Sequence, residues 1–228
     1  MNQKPPNIFF HFGDKTLDLF SLKTRNKIQI RNIFIPTPKI ILAEQTHSNF
    51  VHIVNKKDAG TGLLTEPIPN VDALMTNEKN IFLAIKTADC VPILIFDPVE
   101  EVVAAVHSGR EGTRKKIISI VLNTFKDNFK SNPKNIYVKI GPSICKKCYK
   151  VDKDTFGNFV SSTGIKQYYP FLDLKKVLIK QILEEGIPEK NIENYNICTF
   201  ENENYYSYRR NKTKKRQISL IGIIQVNR

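Results

Sequence analysis

The runs Val91-Pro92-Ile93-Leu94-Ile95-Phe96 and Val102-Val103-Ala104-Ala105-Val106 are strongly apolar and rich in β-branched residues. Short apolar runs bounded by polar or turn residues are typical of strands that are buried on both faces. Similar runs recur along the chain, at residues 8–12, 40–43, 51–54, 73–76, 81–85, 136–140 and 218–226. The sequence therefore predicts a fold that is built around several buried strands.

A helical pattern begins at Thr113, where Ile117, Val121 and Phe125 fall on one stripe that should end near Phe129. Two further helices are predicted at residues 154–160 and 172–185, the second one stopped by Gly186. Because these helices are interspersed irregularly, the pattern favours a mixed α/β sandwich with mixed sheets over a strict β-α-β alternation. No long linker divides the chain, so we expect residues 1–228 to form a single domain.

The composition is that of an ordinary globular protein, with 228 residues, 41% of them hydrophobic and 25% charged. It excludes collagen-like and disordered chains. Four cysteines, and no charged-then-apolar leader over Met1 to Pro6, favour reduced thiols and a cytoplasmic location. The apolar runs are far shorter than the ~20 residues that span a bilayer, so we expect no membrane partner.

The chain carries 35 Lys and Arg against 22 Asp and Glu, and the net charge of +13 attracts anions. The anion could be nucleic acid, a phosphorylated metabolite or free phosphate, and the net charge alone does not choose among them. The lysines are scattered, which is typical of a solvated surface. The sequence therefore does not favour nucleic acid as a partner.

His47, Cys90 and His107 lie where predicted strands end or begin. Two imidazoles and a thiolate are a suitable ligand set for a catalytic zinc, with the fourth position left open. The alternative is that both histidines are satisfied by the backbone and that Cys90 packs as a small hydrophobic residue. Their spacing matches no local metal motif, so the residues alone leave both interpretations open.

Cys145-Lys146-Lys147-Cys148 is a CxxC motif, which can bind zinc or act as a redox pair. A structural zinc site needs a second pair of ligands, and Cys198 is the one cysteine left over. We therefore interpret Cys145 and Cys148 as ordinary thiols that are dispensable for metal binding. Asp72 and Asp89 could orient a histidine or transfer a proton, or could satisfy their own turns.

The densest basic run extends from Arg209 to Arg216. Its lysine-rich part, with Lys214 and Lys215, is typical of a solvated hairpin turn. Arg209 and Arg210 follow the aromatic stretch Tyr205-Tyr206-Ser207-Tyr208, which could hold a guanidinium in place. A fixed arginine binds phosphate through two parallel hydrogen bonds, so both arginines are candidate phosphate ligands.

These motifs resemble the bacterial laccase-domain family, also known as YfiH-like or polyphenol-oxidase-like proteins, whose members are often named purine nucleoside phosphorylases. Seven strings match in order: Gln45-Thr46-His47-Ser48, Asp72-Ala73-Leu74-Met75-Thr76, Thr87-Ala88-Asp89-Cys90-Val91-Pro92, Val106-His107-Ser108-Gly109, Ile140-Gly141-Pro142-Ser143-Ile144, Cys148-Tyr149-Lys150-Val151 and Tyr206-Ser207-Tyr208-Arg209-Arg210. The chain departs from the family pattern at two places. Arg110-Glu111 stands where the family usually has Trp-Arg, and Lys150 stands where it has Glu.

The resemblance implies a layered α/β/β/α sandwich. It also identifies His47, Cys90 and His107 together as the ligands of one metal ion, which would be zinc or, alternatively, copper. It implies phosphorolysis of adenosine, inosine and methylthioadenosine, and deamination of adenosine. The substrates would be a purine nucleoside and phosphate. Cys90, His107 and Asp89 would be the catalytic residues, and Arg209 or Arg210 would bind phosphate.

Three other functions fit parts of the sequence. Two histidines and a cysteine also bind copper, as in a polyphenol oxidase, although a laccase needs several coppers and more than the four histidines present. A cysteine hydrolase would use Cys90 as nucleophile and His107 as base. A basic nucleic-acid-binding domain would show steeply salt-dependent binding.

Overall fold

The computed structural model describes residues 7–225, which form two mixed β-sheets, a two-stranded hairpin and six α-helices. The strands are β1 (Asn7–Phe12), β2 (Lys27–Ile30), β3 (Ile33–Pro36), β4 (Ile40–Leu42), β5 (Val51–Ile53), β6 (Ala73–Thr76), β7 (Phe82–Thr87), β8 (Val91–Asp97), β9 (Val102–Ser108), β10 (Tyr137–Ile140), β11 (Ile192–Asn194) and β12 (Gln217–Ile224). The helices are α1 (Leu19–Lys23), α2 (Arg110–Arg114), α3 (Ile117–Phe129), α4 (Lys153–Thr163), α5 (Leu174–Glu184) and α6 (Tyr208–Asn211). None of the helices in residues 7–225 has the length and apolar character that a bilayer crossing requires.

The larger sheet has the strand order β11-β10-β8-β9-β6-β5, and the smaller sheet has the order β1-β12-β7-β4. In the larger sheet β10 and β11 run parallel, as do β5 and β6, while the other pairs are antiparallel. In the smaller sheet β4 and β7 are the parallel pair. Parallel and antiparallel pairs thus occur in both sheets, as the mixed-sheet prediction requires.

The layers follow from the alternation of side chains along β8. Ile93 and Ile95 face a core that is shared with helices α3 and α5, while Leu94 faces a second core between the two sheets. This burial on both faces explains the continuous apolar run in the sequence. A third core lies on the outer face of the smaller sheet, where Leu22 of α1 and Ile28 of the β2–β3 hairpin pack. The α/β mixed, layered fold class is confirmed, with a one-turn helix and a hairpin forming the outermost layer.

Most predicted elements are present, with local differences at helix ends. The helix that was predicted from Thr113 to Phe129 is divided, because Lys116 adopts a left-handed conformation with φ 57° between α2 and α3. Asp173 caps the start of α5 through the backbone N–H of Lys176, and Gly186 has φ 83° just after its end. Gly186 therefore stops the helix as predicted.

Some elements were not predicted, namely α1, the β2–β3 hairpin, β11 and α6. Arg209 and Arg210 lie in α6. Lys214 and Lys215, which were predicted to lie in a solvated hairpin turn, lie in an exposed, irregular segment. The predicted extension of the last strand to Val226, and Met1 to Pro6, lie outside the described residues.

The register of the larger sheet brings several predicted site residues to one edge. β8 and β9 pair antiparallel, with Pro92 opposite His107, so Cys90 at the start of β8 meets the end of β9. β6 pairs with the other side of β9, with Ala73 opposite Val106, so Asp72 also lies beside His107. The loop after β4 carries His47 to the same edge.

Candidate active site

His47, Cys90 and His107 converge at this edge, and their potential ligand atoms all lie within 4.8 Å of one another. The Cys90 Sγ is 3.9 Å from the His47 Nε2, and the two imidazole rings are 5.0 Å apart at an angle of 75°. His107 is buried, Cys90 is half-buried and His47 is exposed. The three side chains thus form a cluster that is closed on one side and open to solvent on the other.

Asp72 holds both histidines in place. Its carboxylate is fully buried, and its Oδ1 accepts a hydrogen bond from the His107 Nδ1 at 2.7 Å. The same carboxylate accepts bonds from the backbone N–H groups of Thr46, His47 and Ser48 and from the Ser48 hydroxyl. With Nδ1 donating to Asp72, Nε2 of His107 is left as the ligand atom. Of the roles that the sequence left open for Asp72, the structure shows the one in which it orients a histidine.

The loop that carries His47 has an unusual backbone. Gln45 and His47 have φ values of 66° and 60°, in the left-handed region that side chains other than glycine rarely adopt. The Gln45 amide compensates by pairing with the backbone of Lys86 in both directions, at 2.7 and 2.8 Å. Gln45 and Asp72 therefore fix this strained loop from its two ends, which is typical of a functional site.

Cys90 and His107 each shift the pKa of the other. Burial raises the pKa of the Cys90 thiol, but the charge and hydrogen bonds of His107 and His47 outweigh it and hold the pKa at about 6. Burial lowers the pKa of His107, but the Cys90 thiolate and Asp72 outweigh it and raise the pKa to about 9. The thiolate, which is the form that binds metal, is thus accessible at neutral pH.

Gly109 provides the space in which the cluster sits. A Cβ atom at this position would lie 2.8 Å from the Cys90 Sγ, closer than Cβ atoms approach such a neighbour, and 3.1 Å from the His47 Cδ2, which is a tight contact. The donor set of two imidazole nitrogens and one thiolate, with an open side, fits a catalytic zinc ion. The carboxylate behind His107 is the outer partner that zinc-binding histidines usually have. The residues present therefore fit the metal that the resemblance implies.

Asp89 precedes Cys90 and has φ 86°. Both of its carboxylate oxygens are engaged: one accepts from the Thr199 hydroxyl at 2.8 Å, and the other accepts from the backbone N–H of Arg209 at 2.6 Å. Asp89 thus connects the start of β8 to α6. Thr199 was not identified from the sequence, because only the folded chain brings it to Asp89.

The two candidate arginines differ in their surroundings. The guanidinium of Arg209 stacks on Tyr149 at 5.0 Å and donates one bond to the Lys150 carbonyl. The guanidinium of Arg210 donates to the carbonyls of Thr199, Phe200 and Tyr205. The guanidinium N–H groups of Arg210 are thus taken up by backbone carbonyls, whereas Arg209 retains N–H groups that could bind an anion.

Two segments depart from the family pattern, namely Arg110-Glu111 and Lys150, and both lie near the site. Arg110 and Arg114 both pair with Glu111, at 3.4 and 2.9 Å, at the start of α2 beside the site. Lys150 is exposed and contributes its carbonyl to Arg209. Lys150 therefore takes part in the site through its backbone carbonyl, which orients Arg209.

A second cluster lies beside the first. The CxxC pair Cys145 and Cys148 meets Cys198 and Glu201, and the ligand atoms of these four residues lie within 4.8 Å of one another. Cys198 is the one cysteine outside the CxxC pair and Cys90, whereas Glu201 was not identified from the sequence because it is distant from the CxxC pair and belongs to no recognised motif. All four cysteines of the chain are free thiols.

Comparison with known proteins places the chain in a family. Residues 5–224 match the family described as "Multi-copper polyphenol oxidoreductase laccase". Purine nucleoside phosphorylase YlmD of Bacillus subtilis is 33% identical over 98% of this chain and 84% of its own length. The chain belongs to this laccase-like family.

Solved structures show the same relationship. The structure of YlmD from Geobacillus stearothermophilus aligns with a TM-score of 0.78 and 30% identity, over 84% of this chain and 76% of that one. YfiH of Bacillus licheniformis aligns with a TM-score of 0.77 and 30% identity, over 82% and 74%. The fold and the family of the chain are therefore those that its motifs predicted.

Proposed function

We propose that the chain is a purine nucleoside phosphorylase whose catalytic centre is His47, Cys90 and His107 with a zinc ion. One observation carries this proposal: the three side chains converge within 4.8 Å at an open edge, with His107 oriented by a buried carboxylate. The names of the relatives supply the substrate class, because the similar proteins are described as purine nucleoside phosphorylases. Residues 1–228 would act as a single catalytic domain, and four free thiols support a cytoplasmic location.

In phosphorolysis, a phosphate oxygen forms a bond to C1′ of the ribose as the bond from C1′ to the purine breaks. A bound zinc would supply Lewis acidity at this edge. His107 would be held in its binding tautomer by Asp72, and Cys90 would bind as the thiolate that its lowered pKa favours. His47, as the exposed member, lies at the side from which substrate enters.

Arg209 is the proposed phosphate ligand. Its guanidinium is oriented by stacking on Tyr149 and by the Lys150 carbonyl, and it keeps donors that no backbone group takes up. An oriented guanidinium binds phosphate through a planar pair of hydrogen bonds. Arg210, the other candidate, would support the loop beneath it.

Asp89 is proposed to act by positioning. One of its oxygens accepts a hydrogen bond from the Thr199 hydroxyl and the other accepts one from the Arg209 backbone N–H, so Asp89 links Cys90 to α6. The finer activities on adenosine, inosine and methylthioadenosine, and adenosine deamination with water as the nucleophile, are proposed for the same site. Deamination would not need Arg209, because it uses no phosphate.

A copper-dependent polyphenol oxidase is the second candidate, favoured by the description of the matching family and by the His₂Cys donor set. Among the described residues, one ligand cluster contains histidine. Since laccase chemistry requires several coppers, this single cluster favours the phosphorylase over the oxidase.

Incubation of the purified protein with adenosine and phosphate tests the proposal. Separation of adenine, inosine and hypoxanthine distinguishes the reactions, because phosphate-dependent adenine reports phosphorolysis and phosphate-independent inosine reports deamination. We expect adenine that increases with phosphate concentration. Oxidation of a phenol with copper, and no nucleoside product under any condition, would instead support the oxidase.

A further inference from the structure

The structure assigns a second metal site to the chain: we propose that Cys145, Cys148, Cys198 and Glu201 bind a structural zinc ion. The four potential ligand atoms lie within 4.8 Å of one another, and they belong to a cluster separate from His47, Cys90 and His107. This inference is independent of the proposed enzymatic function.

The geometry is close to what zinc needs. Tetrahedral zinc with Zn–S bonds of about 2.3 Å places its sulfur atoms about 3.8 Å apart. The donor atoms all lie within 4.8 Å of one another, so no pair exceeds that separation by more than about 1 Å. Three thiolates and a carboxylate complete a four-coordinate shell, which is the closed arrangement typical of a structural site.

The local backbone presents the donors to one another. Cys145 and Cys148 flank a turn of 3₁₀ helix, in which the Cys148 N–H donates to the Cys145 carbonyl at 3.1 Å. The Cys145 N–H donates to the Cys198 Sγ at 3.3 Å, and the Cys148 Sγ lies 3.4 Å from Glu201 Oε1. The contacts between donors thus connect two chain segments that are about fifty residues apart.

The surroundings suit an anionic site. Three thiolates, a carboxylate and Zn²⁺ together carry a net charge of −2. Four lysines line the groove beside the cluster, namely Lys146, Lys147, Lys175 and Lys176, with Asp173 as the opposing charge. These lysines offset the charge of the occupied site.

A metal here would support the first site. Thr199 follows Cys198 and donates to Asp89, while Tyr149 follows Cys148 and stacks on Arg209. Zinc that joins Cys148 to Cys198 would therefore fix the two segments that position Asp89 and Arg209. The proposed site departs from the prediction that the CxxC motif is dispensable for metal binding, because Glu201 supplies a fourth candidate ligand beside the three cysteines.

Zinc content of the full-length protein tests the proposal. We expect two zinc ions per chain in the wild type and one in a variant with His47→Ala and Cys90→Ala, which lacks two ligands of the first site. Adding Cys198→Ser to that variant should remove the remaining ion. If the double variant holds no zinc, or if Cys198→Ser leaves its zinc in place, the proposal is overturned.

Two further measurements do not depend on a buried substitution. Co²⁺ bound to the double variant should give the intense near-ultraviolet thiolate absorption of a three-cysteine site, and its absence would contradict the assignment. Glu201→Gln, at an exposed residue, should weaken Zn²⁺ binding at least about tenfold, whereas the exposed neighbour Glu203→Gln should not. Equal affinity in both variants, or a Cys145–Cys148 disulfide in place of metal, would refute the four-ligand site.

Discussion

The His107 Nδ1 lies 2.7 Å from the Asp72 Oδ1, and this bond joins the end of β9 to the residue that directly precedes β6. The same carboxylate accepts the backbone N–H of His47. One buried side chain therefore fixes two of the three proposed metal ligands. Burial raises the pKa of Asp72, but its bonds with His107 and Ser48 outweigh this and keep the pKa below its ordinary value.

Asp72→Asn should weaken zinc binding at the first site by about 10- to 100-fold, because an amide cannot accept all of these bonds or favour the same tautomer. Competition with a chromophoric chelator measures the affinity. Asp58→Asn is the matched control, since Asp58 pairs with His52 at 3.2 Å outside the cluster. Equal affinity in both variants would show that Asp72 does not support a ligand.

Gly109→Ala should abolish metal binding at the first site, because the added Cβ would lie 2.8 Å from the Cys90 Sγ. Gly157→Ala is the control, since a Cβ in α4 meets nothing within 4 Å and should stabilise the helix by about 0.5–1 kcal/mol. Metal content and thermal unfolding distinguish the two changes. Normal metal content in Gly109→Ala would contradict the described cluster.

Alkylation of Cys90 in the metal-free protein should depend on pH with a midpoint near the pKa of about 6. The thiolate is the reactive form, so the rate should rise as the pH increases from 5 to 7 and then level off. An ordinary thiol would react along a curve centred near pH 8.5. His107→Ala should move the midpoint upward, because the imidazolium that favours the thiolate is gone. If the midpoint stays near pH 6 in His107→Ala, the interaction between the Cys90 thiolate and the His107 imidazolium is not what lowers the pKa of Cys90.

Arg209→Ala should raise the apparent KM for phosphate or lower kcat for phosphorolysis, and it should affect adenosine deamination much less. Arg209→Lys should rescue poorly, since it lacks the planar fork. Lys214→Ala with Lys215→Ala, in the exposed segment, should have little effect. Equal losses of both reactions in Arg209→Ala would indicate a structural role.

Arg210→Ala should instead lower the free energy of unfolding by about 1–3 kcal/mol, because the carbonyls of Thr199, Phe200 and Tyr205 lose their donor. Denaturant unfolding measures this change. A fully stable variant with a raised KM for phosphate would reverse the roles of the two arginines.

The strands and main helices could be predicted because their apolar periodicity is set by burial. Ile93 and Leu94 face different cores, and this two-sided burial is visible in the sequence as a continuous apolar run. β2 alternates exposed and buried residues but only over four positions, and α6 has four residues with none buried, so neither gives a pattern long enough to predict. Lys116 divides one predicted helix through a left-handed φ that its side chain does not signal.

The sequence identified His47, Cys90 and His107 as candidate ligands, but the residues alone left a structural role open, and it was the family resemblance that grouped them as one metal site. The different surroundings of Arg209 and Arg210 were not predictable, because adjacent arginines differ only in what the folded chain places around them. Glu201 was missed for a related reason: an exposed glutamate carries no motif until the fold brings it to three cysteines.

The most direct test of the central claim is the rate of phosphate-dependent adenine formation by Cys90→Ala, measured beside the wild type. We expect the variant to retain its far-ultraviolet circular dichroism and the zinc at the second cluster, and to form no adenine from adenosine and phosphate. Adenine formation at the wild-type rate by this variant would show that the cluster of His47, Cys90 and His107 is not the catalytic centre.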